Sequence, residues 1–114
     1  MMTDEKHNER IYLLNSIDRL IHEPARFMIM AHLFVIEEAD FIFLMRHTGL
    51  TKGNLSAHLS KLEAAGYITI EKEFIRKKTR TMLSLTTEGR AAFDKYHESM
   101  TKALGGLSVD RDGK

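Results

Sequence analysis

Between Thr51 and Thr81 the hydrophobic period changes from helical to alternating, and a single glycine marks the switch. Ahead of Gly66, Leu55, Leu59 and Leu62 recur at helical spacing, which predicts an amphipathic helix over 51–65 with Thr51 as its N-cap. Gly66 suits the left-handed position that ends such a helix. Beyond it, Tyr67-Ile-Thr-Ile-Glu-Lys-Glu-Phe predicts a strand with Ile68 and Ile70 on one face, and Thr81-Met-Leu-Ser-Leu-Thr predicts a returning strand with Leu83 and Leu85 inward. Ile75-Arg-Lys-Lys-Thr-Arg lies between them as a basic hairpin tip. A lone helix and hairpin cannot cover their own apolar faces, so the rest of the chain must supply the core.

At 114 residues the chain has room for one domain, 1–114, and one modest core. Residues 1–8 and 105–114 are polar or glycine-rich and read as disordered. Ile11, Leu14, Ile17, Leu20 and Ile21 predict a first helix from about Glu9 to the break at Pro24. A second helix, 24–37, is apolar nearly all round and reads as central to the core. Asp40 is the expected N-cap of a third, ending at Gly49. The last helix begins at Thr86 or Thr87, carries Ala92, Phe93, Tyr96, Met100 and Leu104, and is expected to stop at Gly105-Gly106. The fold class is α+β, mainly α: a helix-turn-helix continued into a two-stranded hairpin, with flanking N- and C-terminal helices.

Charge is unevenly divided. Residues 51–80 hold seven lysines and arginines against three glutamates, a net of +4, which leaves −3 for the remainder of a chain whose total is +1. One basic segment on a slightly acidic body is the asymmetry of a protein that turns one face to phosphates. The helix over 51–65 suits a major groove, because Lys52, Gly53, Asn54, Ser56, Ala57, Ser60 and Lys61 are short or cationic on the side away from the leucines. Asn54 offers the donor–acceptor pair that matches adenine, and Ser56 serves a base edge or a phosphate. Gly53 either permits close backbone approach or is a tolerated helix-start glycine. Lys52 sits where the helix dipole disfavours a cation, which fits a phosphate contact better than a stabilising role. His58 has two readings, a half-buried packing residue or a phosphate ligand. Arg76, Lys77, Lys78 and Arg80 are expected on the DNA backbone or in the minor groove, supplying affinity and salt dependence. The candidate DNA-binding set is therefore Thr51, Lys52, Gly53, Asn54, Ser56, His58, Lys61, Arg76, Lys77, Lys78 and Arg80.

Other chemistry finds little support. The absence of cysteine removes disulfides, thiolate zinc sites and thiol nucleophiles. The six histidines show no metal-ligand spacing, and the chain has no phosphate-cradling glycine loop and no nucleophile elbow. No enzyme activity, cofactor or metal is expected. There is no apolar run of membrane-spanning length and no signal-peptide pattern, which suggests a cytoplasmic protein.

Read together, Leu50-Thr-Lys-Gly-Asn-Leu-Ser-x-His-Leu-x-Lys-Leu-Glu-x-Ala-Gly-Tyr-Ile and Leu85-Thr-x-x-Gly-Arg-x-Ala-Phe resemble the small stand-alone winged-helix transcriptional regulators related to the MarR and ArsR groups. The likeness runs from about Leu20 to Tyr96. It implies a homodimeric regulator that binds double-stranded DNA, with Lys52, Asn54, Ser56 and His58 at recognition-helix positions and Lys77, Lys78 and Arg80 in the wing. Two features depart from the pattern. Arg76 and Thr79 stand where the wing often has glycine and proline, and the cysteine motifs of metal-sensing ArsR proteins are missing. The apolar stripes of the first and last helices predict a twofold dimer built from residues 10–21 and 88–104. Such a dimer would set two recognition helices about 34 Å apart. The competing expectation is a winged-helix protein-interaction module, because one fold hosts several functions. No residue set names an effector.

Overall fold

The computed structural model describes the backbone of residues 2–112 and the side chains of residues 8–105. Its elements are α1 (Met2–Asn15), α2 (Pro24–Ile36), β1 (Glu38–Asp40), α3 (Phe41–Thr48), α4 (Lys52–Ala64), β2 (Ile68–Ile75), β3 (Lys78–Leu85) and α5 (Thr87–Asp112). The three strands form one antiparallel sheet in the order β1-β3-β2. Helices α3 and α4 with the β2–β3 hairpin make a winged helix-turn-helix.

The expected punctuation holds in the middle of the chain. Pro24 opens α2, where its missing N–H costs nothing, and Glu23 caps it by accepting from the Arg26 N–H at 2.8 Å. Asp40 caps α3 through the Phe43 N–H at 2.7 Å, and Gly49 ends that helix at φ 73°. Thr51 caps α4 through the Asn54 N–H at 3.1 Å, and Gly66, at φ 81°, turns the chain into β2. The core forms where these elements meet. It comprises Ile29, Met30 and Leu33 of α2, Leu44 of α3, Leu55, Leu59 and Leu62 of α4, Ile68 and Leu83 of the sheet, and Phe93 and Tyr96 of α5. Helix α2 is central but not buried all round, since Val35 at its end is 77% exposed.

Four boundaries differ from expectation. The first helix starts at Met2 and ends at Asn15, well before Pro24. Asp18 causes the early end, because its Oδ1 accepts from the Leu20 and Ile21 N–H groups and its other oxygen from the Tyr67 hydroxyl. Ile17, Leu20 and Ile21 therefore reach the core from a turn, with Ile21 fully buried. At the other end α5 runs through Gly105-Gly106 to Asp112; an interior glycine costs only about 1 kcal/mol and does not by itself break a helix. The segments read as disordered, 1–8 and 105–114, thus have helical backbone over 2–8 and 105–112. Helices α1 and α5 lie against each other, with Arg10 Nε donating to the Ala103 carbonyl at 3.0 Å. Third, the hairpin strands extend to Ile75 and from Lys78, leaving a two-residue tip. Fourth, a short extra strand, β1, pairs with β3 and ties the start of α3 to the sheet.

Helix α5 joins the sheet closely. Thr86 caps it by accepting from the Gly89 N–H at 2.9 Å, and its N–H bonds the Tyr67 carbonyl at 3.0 Å. A Cβ on Gly89 would stand 1.9 Å from that carbonyl oxygen, so only glycine fits there. The Tyr67 hydroxyl, pushed up to about 12 by burial and then by its bond to Asp18, stays a proton donor across the physiological range.

Candidate nucleic-acid interface

Three leucines anchor α4. Leu55, Leu59 and Leu62 are 0–2% exposed, and burying each such side chain is worth about 1.5–3 kcal/mol. With that stripe inward, Lys52, Gly53, Asn54, Ser56, Ala57, Ser60 and Lys61 lie on the outer side, and Thr51 caps the same end. Among the described residues, nothing beyond its chain neighbours and its own helix backbone approaches within 4 Å of where a Cβ on Gly53 would lie. The protein's own packing therefore gives no reason for a glycine at that position.

His58 is different. It is half-buried, its Nδ1 lies 3.2 Å from Arg26 Nη1, and Glu23 Oε1 is 3.9 Å away. Arg26 in turn donates to the Leu20 carbonyl at 2.7 Å. The Glu23 carboxyl is held below its ordinary value first by the Arg26 N–H and then by the nearby charges. Of the two sequence readings of His58, this geometry favours packing: the ring braces α4 against the start of α2.

The wing carries its cations differently. Arg76 and Lys77 form the two-residue tip, with φ 52° and 64°. Positive φ at both central residues is what a hairpin turn of this length requires, but side chains other than glycine, asparagine or aspartate pay about 1–2 kcal/mol each for it. Closure therefore does not need the missing glycine and proline; the paired strands, from Ile68↔Leu85 to Ile75↔Lys78, impose it. Lys78 begins β3 and is exposed. Arg80 is not at the tip. It stands opposite Glu73 in the ladder, and its Nη2 contacts Asp40 Oδ2 at 3.0 Å. Asp40 is held below the ordinary carboxylate value first by the Phe43 N–H and then by Arg80.

Between α4 and the wing lies an open cleft of about 540 Å³. Leu59, Ile70 and Phe41 are among its lining residues, as are Lys52, Lys72, Arg80, Ser56 and Ser60. The structure thus brings one side of α4, from Lys52 to Ser60, and part of the wing onto one concave surface. Lys72 belongs to this surface and is missing from the candidate set, although its alternation with Ile68 and Ile70 already puts it on that face. Among the described residues, no cluster of three or more metal-ligating side chains occurs, and no helix is long and apolar enough to cross a membrane.

Comparison with known proteins agrees with this geometry. The family model for the winged helix DNA-binding domain matches residues 25–104. The uncharacterised protein MJ0432 of Methanocaldococcus jannaschii is 35% identical over 78 residues, covering 68% of this chain and 85% of that protein. The transcriptional regulator homologue from Pyrococcus horikoshii OT3 superposes with a TM-score of 0.78 at 27% identity, covering 87% of this chain and 97% of its own. A structure described as a MarR-family regulator from Enterococcus faecalis V583 gives a TM-score of 0.65 at 24% identity, with 82% and 83% covered, a likeness of fold alone.

Proposed function

This chain belongs to the winged helix DNA-binding domain family, and on that premise we propose that it is a sequence-specific transcriptional regulator acting on double-stranded DNA as a homodimer. The family is one of DNA-binding domains, not of enzymes. One observation carries the reading: Lys52, Ser56 and Ser60 on the outer side of α4 and Lys72, Thr79 and Arg80 of the wing line one concave surface, beside the exposed Asn54 and the cationic wing tip. In this arrangement Asn54 and Ser56 reach base edges in the major groove, and Gly53 lets the backbone approach. Thr51, Lys52 and Lys61 contact flanking phosphates. Arg76, Lys77 and Lys78 follow the backbone or enter the minor groove, while Arg80, engaged by Asp40, contributes chiefly by fixing the wing's base. His58 acts from behind α4.

Exposed apolar surface supports the dimer. Ile11, Tyr12 and Leu14 of α1 are 44–69% exposed, and Leu104 of α5 is 42% exposed. The radius of gyration is 17.5 Å, against about 13 Å for a compact chain of this length, as expected if the terminal helices reach outward to a partner. A twofold pairing through residues 10–21 and 88–104 would cover that stripe and present two α4 helices about 34 Å apart. Sedimentation at micromolar concentration tests this directly; a monomeric mass would count against it.

Binding to the duplex upstream of the chain's own gene, compared with an unrelated duplex across a salt series, tests the regulator itself. Preference for the upstream DNA at physiological salt is the expected result. Equal, weak binding to both, lost at moderate salt, would remove sequence specificity from the proposal. The protein-docking alternative has one observation in its favour, an exposed aromatic on the wing, Phe74.

A further inference from the structure

Phe74 is 73% exposed, the most open of the described phenylalanines. Its place in the ladder says which way it faces. Side chains alternate along β2, so Ile68, Ile70, Lys72 and Phe74 share one face, and their cross-strand partners Leu85, Leu83, Thr81 and Thr79 share it with them. Ile68 is buried, whereas Ile70, Lys72, Thr79 and Thr81 line the cleft beside α4. Phe74 continues this row outward, about 13 Å beyond Ile70 at strand rise. Strand pairing on both sides of it, through Ile75↔Lys78, fixes the ring's backbone.

A bare phenyl ring needs a cover, and its neighbours limit what that cover can be. Lys72 is two residues away on the same face, Arg76 and Lys77 form the tip, and Lys78 adjoins Thr79, the cross-strand partner of Phe74. An apolar surface with cations beside it, Lys72 on its own face and Arg76 and Lys77 at the tip, suits a partner whose outside is anionic and whose interior is apolar. Duplex DNA is such a partner, because phosphates line the rim of the minor groove while deoxyribose and base edges form its walls and floor.

We infer that Phe74 is an apolar minor-groove contact, packing on deoxyribose and leaning into a base step while the surrounding lysines and arginines hold the two phosphate rims. This deepens the DNA-binding reading and rests on it. The wing then contributes more than charge: a ring that partly unstacks a step favours sites where a flexible pyrimidine–purine step lies under it.

The chain contains no tryptophan, so Phe74→Trp introduces a single reporter, and Val35→Trp at the exposed end of α2, outside the proposed dimer and DNA surfaces, serves as its control. Titration with the upstream duplex is expected to quench the indole emission of the Phe74→Trp variant and shield it from acrylamide, leaving the control emission unchanged. Phe74→Ala is expected to weaken binding to that duplex about 10-fold without altering the slope against salt, since no phosphate contact is lost. If the wild type binds but the wing indole stays open to acrylamide and Phe74→Ala binds equally well, the inference is overturned and the DNA reading survives. Shielding of the wing indole that rises with protein concentration in the absence of DNA would overturn it in favour of a second copy as the cover. Failure of the wild type to bind any duplex would overturn both readings.

Discussion

Helix α4 and the wing share a surface but are built on opposite terms. In α4 the side chains proposed to meet DNA are short, and three buried leucines hold the backbone beneath them. The wing's side chains proposed to meet DNA are long, residues 71–80 are all exposed, and the strand ladder and the Asp40–Arg80 pair support them. A rigid helix with small groups suits the reading of base edges, where an error of an ångström loses a hydrogen bond. A hairpin with long, exposed cations suits phosphates, which repeat along DNA and tolerate imprecision. The difference also appears in strain: α4 has ordinary caps, whereas the wing tip holds two residues at positive φ.

Substitutions can test how separate these two devices are. The largest effect is expected at the wing's root, where Gly89→Ala drives a methyl into the Tyr67 carbonyl. Neither backbone can yield by a rotamer change, so thermal denaturation should report a loss of about 3 kcal/mol or more. Next, Asn54→Ala should cost about 1–3 kcal/mol on the preferred site and little on random DNA. Lys77→Ala should weaken both about equally and reduce the salt slope by about 1. Equal losses on both DNAs for both variants would dissolve the comparison. Lys77→Gly should move stability and binding in opposite directions: relief of the left-handed backbone stabilises the fold by about 1 kcal/mol, while DNA affinity falls as for alanine. A melting temperature that drops instead would show the tip to be unstrained.

The smallest effect is in pH. Asp40 has a folded value below its ordinary one, so its contribution is complete above about pH 4 and is lost as pH falls through the folded value. Arg80 is half exposed, so solvent limits the ion pair to less than about 1 kcal/mol. Asp40→Asn keeps the cap on α3 while removing the charge, and should flatten the acid limb of stability against pH slightly. An unchanged acid limb would mean that the wing's base does not depend on this pair.

The features legible in the sequence are those with local causes. The leucine period of α4, the caps at Asp40 and Thr51, the glycines at 49 and 66 and the alternation of β2 and β3 each depend on residues a few positions apart. What escapes a sequence reading depends on distant partners. Strand β1 exists because Glu38–Asp40 finds β3 more than forty residues later. Asp18 stops α1 short through a turn that Tyr67 completes, and no helix-period argument contains that bond. His58 is ambiguous in sequence because Arg26, whose side chain meets its ring, lies 32 residues away. The tip is narrower than the sequence suggests because Arg-Lys carries no turn signature; strand pairing overrides it.

The contact between Gly89 and Tyr67 has a mechanical consequence. Two backbones meet there with no side chain between them to compress, so a displacement of the first turn of α5 is expected to carry the root of the wing with it. In the proposed dimer, α5 is part of the arm that joins the two halves, and the wing is part of the jaw that grips DNA. With no slack at the joint, the protein would work like a caliper. A change in the angle between the arms, from whatever source, would reach the jaws undiminished and alter the spacing of DNA that fits between them.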